Sequence, residues 1–376
     1  MSAPISMAAL QKGYLAYREE IDVAIRRVLE SGWYILGREV AEFEEAFARW
    51  CGVHHAIGVG NGTDALVIAL RALDVGPGDA VFTVSHTAVA TIAAVEMTGA
   101  TPVLVDIDPE THTLDPARLE EAVAHFTRSG TAGEPKAVIA VHIYGHPCHM
   151  DAIRNVCDRH GLKLLEDCAQ AHGATIRGRR VGTFGDIAAY SFYPTKNLGA
   201  FGDGGAVVTA DSALAERCRA LRQYGWFRHH HSDIAGVNSR LDEIQAAILS
   251  VRLRHLDTEI AVRRSVAAQY DVGLVTSVTV PHIASNVEHA YHLYVVRTKA
   301  RDSLSSALKD RGVASAIHYP LAVHQQHAYA GRVLTGVGGL PVTERLYAEI
   351  LSLPMHAFLS QSDVVRVINA VRTWSG

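Results

Sequence analysis

An acid and a lysine stand at the ends of two apolar runs. Residues 163 to 167, KLLED, read as a strand that delivers Asp167 at its carboxyl end. Residues 187 to 193, IAAYSFY, read as a second strand entering a Pro-Thr-Lys turn, which carries Lys196 into a glycine-rich loop. A lysine can hold an aldehyde as a Schiff base, and a carboxylate on a pyridine nitrogen lets that ring accept carbanion electrons; a pyridoxal phosphate enzyme needs both. Lysine also suits proton transfer, because its pKa falls readily on burial. Taken singly, each residue has a plainer reading: Lys196 as a surface lysine in a loop, Asp167 as a helix N-cap or a solvated acid. Glu166 precedes Asp167 on the strand and would point to the opposite face.

A second stretch suits an anion. GVGNGTDAL, residues 58 to 66, runs from a short strand through three alternate glycines towards a helix. Free N–H groups and the dipole at a helix N-terminus can hold a phosphate, with the Thr63 hydroxyl as a further donor. The same pattern also makes a tight turn with a cap. It is neither a G-x-G-x-x-G fingerprint nor a Walker A loop, and the chain has no Gly-Lys dipeptide, so dinucleotide and ATP binding find little support. Asp79 stands near the distance for a ribose contact, but the glycine pattern fails.

Four segments, EDCAQAHGA (166 to 174), SFYPTKNLGAFGDGGAVVT (191 to 209), NGTDAL (61 to 66) and NSRLDEIQAAIL (238 to 249), resemble the DegT/DnrJ/EryC1/StrS aminotransferases. Weaker similarity extends from about residue 13 to the C-terminus. The resemblance implies pyridoxal phosphate as cofactor, Lys196 as its Schiff-base lysine and Asp167 on its ring nitrogen. It assigns Gly62, Thr63, Asp64 and Ser191 to the cofactor phosphate and Gln170 to the region of the ring hydroxyl. It also implies a homodimer with shared active sites, in which Asn238 reaches the phosphate of the other subunit. The family places an aromatic ring over the pyridine where this chain has Ala88, in SHTAVAT; His86, two residues back, is the expected substitute. Tyr193, Asn197, Arg240, His318, Tyr319 and His324 are the expected substrate contacts, the last three in AIHYPLAVHQQ. Arg38 is a further anion partner by its chemistry.

The activity implied is transfer of an amino group from glutamate or glutamine to a nucleotide-linked keto-deoxysugar, for antibiotic, surface-glycan or related pathways. Alternatives are a keto-cyclitol or a keto sugar lacking nucleotide as acceptor, and a regulatory protein that keeps the cofactor without turnover. A dehydrating branch of the family has histidine in place of the lysine, so Lys196 speaks against it.

HIYGHPCHM, residues 142 to 149, gathers His142, His146, Cys148 and His149, and imidazole with thiolate suits zinc. The family carries a similar turn without metal, so no metal is expected. The three histidines at 229 to 231 read as a loop bordering a neighbouring site.

Composition narrows the class. A net charge of −4 with scattered Lys and Arg gives no footprint for nucleic acid. Five cysteines without a C-x-x-C pair argue against a disulfide framework. The N-terminal stretch lacks a signal-peptide pattern and no run of 18 apolar residues occurs, which makes a cytoplasmic protein without membrane segments the expectation.

These residues need a scaffold. Helical spacing covers 17 to 31, 40 to 50, 65 to 73, 88 to 97 and 150 to 160; strands are expected at 55 to 59, 80 to 84, 102 to 106, 137 to 142 and 163 to 167. Such alternation predicts an α/β fold with a mainly parallel sheet flanked by helices, with ligands beyond the carboxyl ends of the strands. A long amphipathic helix after Asn238 would bridge to a smaller C-terminal α+β domain, containing a strand at 291 to 297 and a helix at 301 to 311. The division expected is a large cofactor-binding domain over 1 to 250 and a small domain over 251 to 376, the arrangement of fold-type I pyridoxal phosphate transferases.

Overall fold

The structure, a computed structural model, describes residues 3 to 228 and 230 to 375. Its main sheet is built from β1 (His55–Val59), β2 (Asp79–Val84), β3 (Thr101–Val105), β4 (Glu134–Val141), β5 (Lys163–Asp167), β6 (Ile187–Ser191), β7 (Gly205–Thr209) and β8 (Leu334–Thr335). The order across the sheet is β1-β7-β6-β5-β4-β2-β3-β8. Pairs from β6 to β8 are parallel, whereas β7 runs against both of its neighbours. All strands but β7 therefore end on one side, and that side carries the site. The strands from β1 to β7 are largely buried on both faces, which is why they read as near-continuous apolar runs rather than alternating ones.

Most expected elements form within a few residues of their bounds, and the exceptions are local. The helix expected from 65 begins at Gly62 and runs to Ala72, because the Asn61 side chain accepts from the Asp64 N–H and caps it. Gly62, Thr63 and Asp64 thus form the first helical turn instead of a lead-in. Strand β6 stops at Ser191, two residues early, where the Lys196 N–H closes a turn on the Tyr193 carbonyl. The C-terminal strand begins at Tyr294 and pairs antiparallel with Ile350–Leu353. A helix over Pro116–Ser129 was not expected, although Asp115 caps it and Pro116 occupies its first turn.

The helix Glu243–Leu274 is continuous through position 250, so the expected division falls inside it. Leu249, Leu253, Leu256 and Ile260 pack into the core around the sheet, and Ala267, Tyr270 and Leu274 into a second core with Leu304, Leu351 and Val367. Ile5 also joins this second core and bridges to Val313, so one of the first residues of the chain packs with its last third. No helix among the described residues is long and apolar enough to cross a membrane.

Candidate active site

The carboxyl ends of β5 and β6 and the start of the Gly62–Ala72 helix enclose a cavity of about 510 Å³. Gly62, Thr63, Asp64, Ala88, Asp167, Gln170, Ser191, Tyr193 and Lys196 line it, residues gathered from four separate stretches of chain.

Asp167 is buried at the end of β5. Its Oδ2 accepts from the Thr91 hydroxyl at 2.9 Å and its Oδ1 from the Ala169 N–H at 3.1 Å. Burial pushes its carboxyl above the ordinary value, opposed by these two donors and by the Lys196 charge. Burial acts oppositely on Lys196, lowering its ammonium to about 8 even though the Asp167 charge works to raise it. Lys196 keeps partial exposure, and it lines both this cavity and an adjoining one of about 690 Å³. Met7, Leu10, Phe201 and Phe358 supply apolar walls to the larger cavity, and His318 is part of its lining.

The cavity's other end is shaped for close approach of backbone. A Cβ added at Gly62 would lie 2.6 Å from the Ser191 Cβ, so only glycine lets the helix start beside that hydroxyl. Asp64 lines the cavity, but its bonds turn away from it: its N–H goes to Asn61, and its carboxylate accepts the Ser239 hydroxyl at 2.6 Å. That arrangement braces the turn at the start of the helix.

Gln170 is held at both ends of its amide. Its Oε1 accepts from the Tyr144 N–H at 2.7 Å and its Nε2 donates to the Tyr319 hydroxyl at 3.1 Å. The Tyr319 phenol is pushed up to about 12, by burial and then by the Asp167 charge. Ala88 lines the cavity as the N-cap of the Val89–Thr98 helix, together with Thr87.

His86 does not line the cavity, which corrects its expected role as the covering ring. It is fully buried, edge-on to Tyr144 at 5.4 Å and to Tyr347 at 5.2 Å. Helix initiation right after Ala88 turns Thr87 and Ala88 to the cavity and leaves His86 behind the wall. Burial and the neighbouring His112 press its pKa well below the usual value, so the ring is neutral packing.

The substrate candidates separate. His318 lines the larger cavity and Tyr193 the smaller, while Tyr319 reaches the smaller through Gln170. Asn197 lines neither: it is buried and donates to the Ala290 carbonyl at 2.9 Å, tying the lysine turn to the C-terminal part of the chain. His324 is also a brace, with Nδ1 2.8 Å from the Ser85 hydroxyl and Nε2 3.2 Å from Glu344. Arg240 lines neither cavity, and Arg38 pairs with Glu42 on the surface. Asn238 is exposed on this chain and outside both cavities. His229, in the histidine run, lies outside the described residues. Thr91, Tyr144 and Ser239 are the supporting residues that sequence reasoning missed: each lies in a segment singled out above, but their partners, Asp167, Gln170 and Asp64, are distant in the chain.

His142, Glu166 and Cys168 bring possible metal-ligand atoms within 4.8 Å of one another. Glu166 and His142 already have hydrogen-bond partners. Glu166 accepts from the N–H groups of Gly182, Phe184 and Gly185 and contacts His142 Nε2 at 3.0 Å, while His142 Nδ1 accepts from the Cys148 N–H. With Nδ1 accepting, the ring proton lies on Nε2 and is directed to Glu166. His146 points elsewhere, onto Pro147 and Ala284.

A half-buried lysine and a buried carboxylate beside a helix N-terminus fit pyridoxal phosphate: an amine for the aldehyde, a ring-nitrogen partner and a phosphate cradle that a single methyl group would fill. The comparisons point the same way. The chain is 48% identical over 368 residues, 97% of its length and 95% of the relative's, to a dTDP-3-amino-3,4,6-trideoxy-alpha-D-glucose transaminase of Streptomyces venezuelae. It is 44% identical to a dTDP-3-amino-3,6-dideoxy-alpha-D-galactopyranose transaminase of Aneurinibacillus thermoaerophilus, over 96% of each chain. The crystal structure of S. venezuelae DesV superposes with a TM-score of 0.94 at 47% identity, covering 99% of both chains. With residues 16 to 372 matching the family model, the chain belongs to the DegT/DnrJ/EryC1/StrS aminotransferase family and is an aminotransferase.

Proposed function

We propose that this aminotransferase uses pyridoxal phosphate to move an amino group from glutamate, or glutamine, to the C3 ketone of a nucleotide-linked deoxysugar. The observation that carries the reading is the meeting of Lys196 and Asp167 in one cavity beside a helix N-terminus. The acceptor class rests on relatives whose names place the amino group at carbon 3 of a dTDP-linked sugar.

When bound, the cofactor supplies an aldehyde carbon and a ring that accepts an electron pair. The chain's own residues do the rest. With its pKa near 8, Lys196 has an appreciable neutral fraction near neutral pH, so Nζ can act as nucleophile and can then take and return a proton. Asp167 offers a carboxylate to a protonated ring nitrogen. Gly62, Thr63 and Ser191 would hold the phosphate, and Gln170, fixed by Tyr144 and Tyr319, would meet the ring hydroxyl. The larger cavity reaches Lys196 and carries His318, so it is the space from which a sugar would approach.

Asn238 and Arg240, outside both cavities of this chain, would serve a second copy. The exposed Trp33, Tyr34, Tyr224 and Phe227 are the apolar surface such a homodimer would cover. The test is a half-reaction series. Glutamate should convert the loaded protein to its aminated form and release 2-oxoglutarate, and a dTDP-linked 3-keto sugar should reverse the spectral change. Failure of every nucleotide-linked ketone, with success of a keto-cyclitol, would overturn the acceptor class.

A further inference from the structure

Two threonines, Thr87 in the cavity lining and Thr91 behind it, form a hydroxyl chain that ends on Asp167. Thr87 Oγ1 lies 2.8 Å from Thr91 Oγ1, and Thr91 Oγ1 donates to Asp167 Oδ2 at 2.9 Å. Both threonines are buried; Thr91 sits in the first turn of the Val89–Thr98 helix and Thr87 just before its N-cap, Ala88.

A hydroxyl has one proton to donate. If the Thr91 proton goes to an ionised Asp167, the contact with Thr87 is made by the Thr87 proton. The chain then has one polarity, from Thr87 through Thr91 to the carboxylate. Thr87, which lines the cavity, has its proton turned inwards and presents only lone pairs to a ligand. Asp167 thus receives one donor on each oxygen, Thr91 on Oδ2 and the Ala169 N–H on Oδ1, which together fix its carboxylate plane.

We propose that Thr91 is a positioning residue for Asp167: its hydroxyl, oriented by Thr87, sets the carboxylate plane and favours the charged form that grips a cationic ring nitrogen. This rests on the cofactor reading above. Charge-assisted donors are worth enough to matter here, since burial otherwise drives the carboxyl towards its neutral form. The packing role of the Thr91 methyl and the donor role of its hydroxyl are separable by substitution.

The experiment titrates the cofactor-free protein with pyridoxal phosphate, following intrinsic fluorescence across the mildly acidic to neutral range. Melting of the cofactor-free protein is measured alongside. Thr91→Val should weaken binding by about ten- to a hundredfold, the scale of one hydrogen bond to a charged group. It should also move the acid limb of the binding profile to higher pH, because a carboxylate that has lost a donor takes up its proton earlier. Thr91→Ser should restore both the affinity and the position of the limb. A Thr91→Val protein that binds with natural affinity and an unmoved acid limb overturns the proposal. So does a Thr91→Ser protein as impaired as Thr91→Val, which would assign the effect to packing. If the unsubstituted chain takes up no pyridoxal phosphate, the cofactor reading itself fails and this proposal with it, a result visible before any variant is made.

Discussion

Glu166 and Asp167, neighbours at the end of β5, serve opposite faces of the sheet. Asp167 faces the cavity, with Thr91 and Ala169 as its donors. Glu166 turns the other way and closes the 182 to 185 loop through three backbone N–H groups. Two acids of nearly identical chemistry therefore have different work, and substitution should separate it.

Asp167→Asn keeps the shape and removes the charge. Transamination should fall by on the order of a hundredfold or more, as expected when one partner of a buried charge pair worth ~3 kcal/mol is lost. The melting midpoint of the cofactor-free protein should change little, because burial already disfavours the charge. Stopped-flow half-reactions with glutamate, beside calorimetry of the cofactor-free protein, check both parts.

Glu166→Gln should do the reverse. It places an amide NH2 among backbone donors and should cost about 3 kcal/mol of stability at neutral pH. Although burial pushes the Glu166 carboxyl up, His142 and the backbone donors outweigh it and hold the group below the usual range. Its stabilising contribution is therefore complete above the unfolded-state pKa and is lost as pH falls through the folded-state one. The stability gap between natural protein and variant should narrow on acidification, and urea melts at several pH values would expose a constant gap.

Gly62→Ala tests the phosphate cradle. The added Cβ would sit 2.6 Å from the Ser191 Cβ and 3.2 Å from its Cα. The overpacking should cost about 1–3 kcal/mol and lower cofactor retention. Adding Ser191→Gly should recover part of the stability without recovering phosphate binding, a non-additive pair measurable by calorimetry and equilibrium dialysis.

Lys196 should be an unusually available amine. Only its neutral form is a nucleophile, and the neutral fraction rises as pH passes upwards through about 8. Reductive labelling of the cofactor-free protein by an aromatic aldehyde should therefore level off at position 196 just above that pH. A plateau reached only near the ordinary lysine value of 10.5 would contradict the buried site. Lys196→Ala should lose both this labelling and transamination, the latter by on the order of 10²–10⁴.

Much of the site was legible because its parts lie beside strong local signals. The apolar run before Asp167 and the turn before Lys196 fix where β5 and β6 end, and parallel strands deliver their ends to one side. Where reading failed, distant contacts decided. His86 and Ala88 are equally good candidates by alternation, but the helix starting at Val89 puts one behind the wall and the other in it. Asn197 and His324 look like free polar residues beside a site, and both are spent on bracing bonds to residues far along the chain.

The sequence by itself determined the chemical inventory, an amine, an acid and an anion-binding helix start, and the strand–helix alternation that brings them to one edge, because these depend on residue type and local periodicity. Only the tertiary structure decided which side chains face the cavity, which burial shifts the lysine to about 8, and which hydroxyls hold Asp167. Burial and hydrogen-bond direction arise from partners many residues apart, as with Thr91 and Asp167, and no local pattern encodes them.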